Sequence, residues 1–197
     1  MSTSKEQLLQ RIRQQLSGVE VPELPEPEAR RLEQSANAQV LAEEFQRKAE
    51  AIGVQFFDSV ASAAKGFDRI AVSDGADLPI AIDNVDLFEG WNRRADLLEV
   101  GAGLTCAQLG IAESGTLALI GNQERHRLVS LVPPVHICLL RRQNIVGTMN
   151  EALSHLHGAN EISPIVTFVT GPSRTADIEL QLVLGVHGPR ELRIVLT

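Results

Sequence analysis

Residues 133–140 read Pro-Pro-Val-His-Ile-Cys-Leu-Leu, and this stretch decides the fold class. Its two prolines hold the backbone extended, and the residues after them do not alternate strictly between polar and apolar. A strand of this kind is buried on both faces, which is typical of a parallel sheet covered by helices. We predict a strand over Val135–Leu140, with His136 as a core or edge histidine whose hydrogen bonds are satisfied nearby.

Six further runs are predicted strands because they are short, aliphatic or β-branched, and bounded by Gly, Pro, Asp or Asn. They are Val54–Phe57, Ile70–Ser73, Leu97–Val100, Thr116–Ile120, Ile165–Val169 and Leu192–Leu196. Helical patterns lie among these runs, at residues 28–52, 59–66, 106–109 and 147–157. Because strands and helices interleave, we predict an α/β fold with a mostly parallel sheet flanked by helices.

A separate amphipathic helix precedes this domain. Thr3 or Ser4 caps it, and it ends at Ser17-Gly18; its apolar residues at helical spacing are Leu8, Leu9, Ile12 and Leu16. Residues 19–27 carry three prolines among acidic residues and form an extended linker. We therefore divide the chain into residues 1–27, an N-terminal helix and Pro-rich linker, and residues 28–197, the α/β domain. The apolar stripe of the first helix serves a partner subunit or packs on its own domain, two alternatives that the sequence leaves equal.

Composition limits the classes of function. The chain has 197 residues and a formal net charge of −7, which argues against sequence-independent binding of nucleic acid. Cys106 and Cys138 lack Cys-x-x-Cys spacing, so we expect small buried hydrophobes and neither a disulfide framework nor an iron–sulfur cluster held by this chain alone. No metal motif or dinucleotide fingerprint is found; Gly101-Ala-Gly is interpreted as a turn. No apolar run reaches the roughly twenty residues of a membrane span, and we expect a cytoplasmic protein.

Glu113 is the first candidate catalytic residue, in the stretch Gly-Ile-Ala-Glu-Ser-Gly-Thr at residues 110–116. It follows apolar residues and precedes a Gly-Thr turn at the start of a predicted strand. A carboxylate held in a partly apolar cleft can act as base or nucleophile. The alternative is a surface turn in which Ser114 and Thr116 hydrogen-bond the backbone. Both hydroxyls are also candidate ligand-binding groups.

Arg127 is a candidate for binding an anionic ligand. It closes the group Arg125-His-Arg, after a turn rich in Gly and Asn, and leads directly into apolar residues. A guanidinium can hold a carboxylate or phosphate through two hydrogen bonds. The alternative is a solvated basic turn.

The C-terminal stretch 171–189 contains Gly-Pro-Ser-Arg-Thr-Ala-Asp and then Gly-Val-His-Gly-Pro. Thr175 is predicted to cap a short helical turn, and with Arg174 alongside it this turn would bind an anion; Asp177 is favoured near such a helix end. If residues 177–184 are a strand instead, Asp177 and Glu179 share one face. His187 is the second candidate catalytic residue, because flanking glycines let a ligand approach it closely; its alternative role is to lock the turn by a hydrogen bond.

Three blocks of this sequence together resemble the LUD-domain family, in its lactate-utilisation protein C group. The blocks are residues 111–116, residues 130–137, and residues 171–179 with 185–189. The resemblance is close over residues 97–197 and looser over residues 28–197. It implies an α/β fold similar to the sugar-phosphate isomerase (NagB/RpiA) and CoA-transferase-like group. It also implies a part in oxidising L-lactate to pyruvate with two partner proteins that carry the iron–sulfur clusters, and no cofactor in this chain.

Two functional hypotheses therefore stand side by side. The first is a component of an L-lactate-oxidising system. The second is a free-standing enzyme or ligand-binding protein of the CoA-transferase-like group, acting on an anionic metabolite such as a CoA ester, sugar phosphate or nucleotide. The sequence leaves open whether this chain is itself an enzyme.

Overall fold

The computed structural model describes residues 4–16, 37–73, 86–88, 94–120, 127–158, 165–176, 182–184 and 187–197. Within these ranges the helices are α1 (Ser4–Leu16), α2 (Ala38–Ala51), α3 (Val60–Ala63) and α4 (Met149–Gly158). The strands are β1 (Gln55–Phe57), β2 (Arg69–Val72), β3 (Asp86–Phe88), β4 (Ala102–Ala107), β5 (Leu109–Ile111), β6 (Thr116–Ile120), β7 (Val135–Leu140), β8 (Ile145–Val146), β9 (Val166–Val169), β10 (Arg174–Ala176), β11 (Leu182–Leu184) and β12 (Glu191–Leu196). Short 3₁₀ helices lie at Arg94–Leu98, Arg127–Ser130 and Arg142–Asn144.

Contacts divide the chain into two compact units, Met1–Arg30 and Arg31–Thr197. In the first unit, α1 confirms the predicted amphipathic helix, and its apolar residues Leu8, Leu9 and Ile12 are exposed. The predicted proline-rich linker lies outside the described residues.

The main sheet of the second unit has six strands in the order β1-β12-β7-β4-β2-β3, and every neighbouring pair is parallel. β7 lies at its centre, with Val135–Leu140 paired to β12 on one side and to β4 on the other. The residues of β7 are buried or half-buried along its whole length, as the lack of strict polar–apolar alternation predicted. The α/β fold class is confirmed.

Each face of the main sheet has its own apolar core. On one face, α2 packs Phe45 and Ala49 against Cys138, Leu192 and other residues of β7 and β12. On the other face, α3 packs against alternate residues of the same strands, with Ile137 and Val195 at the contact. At the β2 and β4 side of the first face, the 3₁₀ helices contribute Leu97 and Val129 to a smaller core.

α2 begins at residue 38 because Asn37 caps it, its side chain accepting a hydrogen bond from the Gln39 backbone at 3.2 Å. The predicted segment 28–36 lies outside the described residues. Of the apolar residues in this predicted helix, Phe45 and Ala49 are buried, whereas Val40 is 54% exposed. Gly53, at φ +91°, follows the end of the helix as predicted.

A second, four-stranded sheet has the order β8-β5-β6-β9, with β5 and β8 parallel and the other pairs antiparallel. β10 and β11 form a separate antiparallel hairpin. The predicted strands at 54–57, 70–73, 116–120, 165–169 and 192–196 match β1, β2, β6, β9 and β12 to within two residues at each end.

Three predictions next to the centre of the sheet are wrong. Leu97–Val100 is no strand: Arg94–Leu98 is a 3₁₀ helix that buries Leu97 and leaves Leu98 69% exposed. The region 106–109 is not helical and Gly101-Ala-Gly is not a turn, because β4 begins at Ala102 and β5 follows after Gln108. Gly103 lies inside β4 where the Val129 carbonyl approaches so closely that no Cβ fits.

Candidate functional site

The two ends of the main sheet provide the frame for locating the predicted site residues. All six strands are parallel, so their amino ends share one edge and their carboxyl ends the other. The first turn of α2 lines a hollow with Arg141 and Arg142, which follow the carboxyl end of β7. The last turn of α2 leads through Gly53 into the amino end of β1. α2 therefore runs antiparallel to the strands, and its C-terminus marks the amino end of the sheet.

Glu113 lies in the turn after β5 and contacts the start of α4. Its Oε1 accepts a hydrogen bond of 2.7 Å from the Met149 backbone N–H, and its own backbone N–H donates to the Gly147 carbonyl at 3.1 Å. Glu151 accepts the Gly147 N–H at 2.7 Å, while its own backbone N–H donates to the Thr148 hydroxyl at 3.2 Å. Two carboxylates thus satisfy the free N–H groups of this helix end and oppose its positive dipole.

The turn that holds Glu113 is pressed against the last part of α2. Gly115 has φ +65° and donates to the Ile111 carbonyl at 2.9 Å; a Cβ there would lie 2.5 Å from the Ala49 backbone nitrogen. Two of the predicted ligand-binding hydroxyls flank Gly115, with 2.8 Å between the Ser114 and Thr116 oxygens. The Thr116 oxygen also lies 2.8 Å from that of Thr170, after β9. These hydroxyls bond to one another, whereas the alternative reading had them bond to the backbone.

Arg174 contacts the C-terminal end of α2. Its Nη2 donates to the Ile52 carbonyl, a favourable position for a cation at the negative end of a helix. Gly53 and Gly171 make this packing possible, since a Cβ at Gly53 would meet the guanidinium and one at Gly171 would lie 3.2 Å from the Ile52 side chain. The guanidinium predicted to hold an anion is therefore bound to the backbone of its own domain.

His187 is exposed and lies before the amino end of β12. The loop around it is held by backbone hydrogen bonds, from Ser173 N–H to Pro189 at 2.8 Å and from Arg190 N–H to Pro134 at 2.7 Å. Glu113 and His187 both belong to segments that pack toward the amino end of the sheet, and no hydrogen bond joins them in the described part of the chain. Their catalytic roles stay predictions.

The helical turn predicted at Thr175 is wrong. Arg174–Ala176 is strand β10, in which Thr175 pairs with Val183 of β11. No helix N-terminus is present at Thr175 to bind an anion, so the second functional hypothesis loses the feature that motivated it. The alternative of a strand over residues 177–184 holds for Leu182–Leu184, and Asp177 lies outside the described residues.

Arg127 is the exposed first residue of the 3₁₀ helix Arg127–Ser130. Its carbonyl accepts a hydrogen bond of 2.8 Å from the buried Ser130 hydroxyl. Arg125 and His126 lie outside the described residues. No contact in the described part of the chain decides between the two interpretations of Arg127, which are binding of an anion and a solvated basic turn.

His136 is a core residue, as predicted, and is 1% exposed. Its Nε2 lies 2.7 Å from the hydroxyl of Thr105, which is also buried. Burial lowers the pKa of His136 to about 4, so the imidazole is neutral at pH 7. The pair is a neutral hydrogen-bonded unit inside the main sheet.

Sequence reasoning missed Ser73, which directly follows the carboxyl end of β2. It is 2% exposed, and its hydroxyl has no hydrogen-bond partner in the described part of the chain. Nothing in the sequence marks it as a site residue, because a single serine at the end of a predicted strand, here Ile70–Ser73, is common. Its significance comes only from burial and from its place in the sheet.

Two open hollows lie near the carboxyl ends of β7 and β12. One, of about 600 Å³, is lined by the first turn of α2 together with Arg141 and Arg142, and each of its lining residues is exposed. The second, of about 420 Å³, lies near β1 and includes Glu50, Asp58 and Arg142. Sequence reasoning singled out none of these residues.

No helix in the described ranges is long and apolar enough to cross a membrane. The same ranges contain no group of three or more His, Cys, Asp or Glu residues placed to hold a metal ion.

The chain belongs to the LUD domain family. The family model matches residues 28–197, which include both sheets and helices α2 to α4. Helix α1 precedes the matched segment.

Individual relatives agree with this assignment. The chain is 33% identical over 140 residues to a lactate utilization protein C from Deinococcus radiodurans, covering 70% of this chain and 66% of that protein. A lactate utilization protein C from Anoxybacillus flavithermus is 36% identical over 54% of this chain and 44% of its own. An uncharacterised protein from Neisseria meningitidis serogroup B is 38% identical over 64% of this chain and 54% of its own. The chain thus spans about half the length of the last two relatives.

One solved structure supports the fold. The crystal structure of a DUF162 family protein from Deinococcus radiodurans superposes with a TM-score of 0.68, covering 82% of this chain and 98% of the other. The two are 24% identical in sequence, so this likeness bears on the fold alone.

Proposed function

We propose that this chain takes part in lactate utilisation, as one component of an assembly that oxidises L-lactate to pyruvate. The observation that carries the proposal is the 33% identity to a lactate utilization protein C over 70% of this chain. In this proposal two partner proteins carry the iron–sulfur clusters through which electrons leave the substrate. The chain itself acts in the cytoplasm.

The positions of the two cysteines support this division of labour. Cys106 pairs with Leu139 and Cys138 pairs with Thr105 across β4 and β7. Side chains alternate between the faces of a sheet, so the two thiols belong to opposite faces. Since clusters of this kind are usually held by four thiolates on one site, these two cysteines are poorly placed to hold one together.

A deletion strain tests the proposal. We expect it to lose growth on L-lactate as sole carbon source, to keep growth on pyruvate, and to recover on lactate when the gene is restored. Affinity purification of the tagged chain from lactate-grown cells should bring down two proteins with iron–sulfur absorption in the visible range, while the chain purified alone should be colourless. Normal growth of the deletion strain on lactate, with no iron–sulfur partner recovered, would overturn the proposal.

A further inference from the structure

The order of strands in the main sheet contains a point where the chain changes direction. From β2 the chain continues to β3, its neighbour toward one edge, whereas from β4 it continues to β7, toward the other edge. β2 and β4 are themselves adjacent and parallel. In open parallel sheets the connections that leave such a pair in opposite directions leave a crevice outside the carboxyl ends of the two strands, and ligands bind there.

Ser73 lies at this position. Val72 pairs with Leu104 of β4, and the Ser73 N–H donates to the Leu104 carbonyl at 3.1 Å, so Ser73 continues the pairing one residue beyond the end of β2. Its hydroxyl is buried without a partner in the described part of the chain. A buried hydroxyl without a hydrogen bond costs about 1–3 kcal/mol, so its retention at the carboxyl end of β2 points to a partner outside the described part of the chain.

The neighbouring polar groups determine what kind of partner fits. Ser73 is level with Thr105 on β4, and the alternation of side chains puts both on the face that also carries His136. Thr105 and His136 are bonded to each other at 2.7 Å. None of these three side chains carries a charge at neutral pH, so they suit a neutral oxygen, a hydroxyl or a carbonyl, better than a carboxylate or phosphate.

We propose that the crevice at the carboxyl ends of β2 and β4 binds a small 2-hydroxy or 2-oxo acid, whose hydroxyl or keto oxygen is hydrogen-bonded by Ser73. The choice of these acids rests on the proposed function in lactate utilisation. The position of the contact rests on the sheet order and on the unpartnered hydroxyl, which are independent of it.

The variant Ser73→Ala tests the contact through two readouts of opposite sign. In the ligand-free protein it removes an unsatisfied buried polar group, so we expect the melting temperature to stay the same or to rise by about 2–4 °C. In calorimetric titrations of the full chain with L-lactate or pyruvate, the same variant should weaken Kd by about 3- to 10-fold. Propionate, which lacks the hydroxyl or keto oxygen on C2, should bind the wild type and the variant equally weakly.

Ser130→Ala is the matched control, because Ser130 is an equally buried serine whose hydroxyl donates to Arg127. We expect it to lower the melting temperature by about 2–4 °C and to leave the Kd of L-lactate unchanged. The proposal is overturned if Ser73→Ala lowers the melting temperature as Ser130→Ala does. It is equally overturned if the wild type binds neither acid, or if it binds propionate as tightly as L-lactate.

The growth assay separates this proposal from the proposed function. A deletion strain that fails to grow on lactate, together with purified protein that binds neither acid, would remove the site and leave the function. Binding that depends on Ser73, in a protein whose loss leaves growth on lactate intact, would remove the function and support the site.

Discussion

The two ends of the main sheet differ in how their polar groups are satisfied. Toward the amino end, three of the residues predicted from the sequence make hydrogen bonds within the fold: Glu113 accepts from α4, Arg174 donates to α2, and Thr116 bonds to two other hydroxyls. At the carboxyl end, the inconspicuous Ser73 is buried without a partner in the described part of the chain. In this fold the glycine-rich and charged turns pack closely against other segments. The residue proposed to contact a ligand is a single serine, which is distinguished only by its burial and its position in the sheet.

The largest expected effect comes from the close packing toward the amino end. Gly115→Ala places a Cβ 2.5 Å from the Ala49 backbone nitrogen at a residue with φ +65°. Neither the backbone of α2 nor the turn that contains Gly115 can shift without disturbing the contact between α2 and the second sheet. We therefore expect a loss of about 3–5 kcal/mol in the free energy of unfolding. Urea denaturation of the purified variant measures it.

Gly66→Ala is the control for backbone conformation alone. Gly66 also has a positive φ, +94°, but a Cβ there meets nothing within 4 Å. We expect a cost of about 1–2 kcal/mol. Equal losses in the free energy of unfolding would mean that the close approach of α2 to Gly115 adds nothing to the cost of placing alanine at a positive φ.

The next prediction is the pH dependence of stability that comes from His136, which is buried in the main sheet between its two ends. Burial lowers its pKa from 6.5 to about 4, so between these pH values the unfolded chain binds a proton that the folded protein does not. The free energy of unfolding should therefore fall by about 3 kcal/mol in total as the pH falls from 6.5 to 4. Above pH 6.5 this contribution is fully present and does not change.

His136→Gln isolates this contribution from the titration of carboxylates, since glutamine keeps a hydrogen-bonding group toward Thr105 and has no proton to gain. We expect denaturation curves of the variant to show a shallower loss of stability over the same pH range. Equal pH dependence in both proteins would mean that the pKa of His136 is not lowered in the folded protein.

The sequence predicted the parts of the fold that have strong local patterns. β7, β6 and β12 are aliphatic runs with clear boundaries, and α1 and α4 have helical spacing, so these elements were found. β4 was missed because Gly101, Gly103 and the small residues around them have low strand propensity. What makes β4 a strand is its pairing on both sides and the Val129 carbonyl over Gly103, and neither can be read from a local window.

The contacts of the predicted site residues could not be read from the sequence, for a related reason. Residue types such as Glu, Arg and Thr indicate which groups can bind a ligand, but only the fold shows whether the chain already occupies them. One nitrogen of Arg174 already donates to the carbonyl of Ile52, a residue 122 positions earlier in the chain. The converse holds for Ser73, because only the fold shows that its hydroxyl is buried without a partner in the described part of the chain.

The smallest expected effect decides between the two roles of Glu113. Glu113→Gln keeps an oxygen that can accept the Met149 N–H but removes the charge that opposes the dipole of α4, so we expect a loss of about 1 kcal/mol and a melting temperature lower by about 2–4 °C. Glu151→Gln is the matched control, because its carboxylate accepts from Gly147 at the same helix end. We expect both variants to support lactate-dependent growth and lactate oxidation by the assembly equally well. A catalytic base contributes about 10²–10⁴-fold, so a loss of that size in Glu113→Gln alone would restore the catalytic prediction and give the amino end a chemical role.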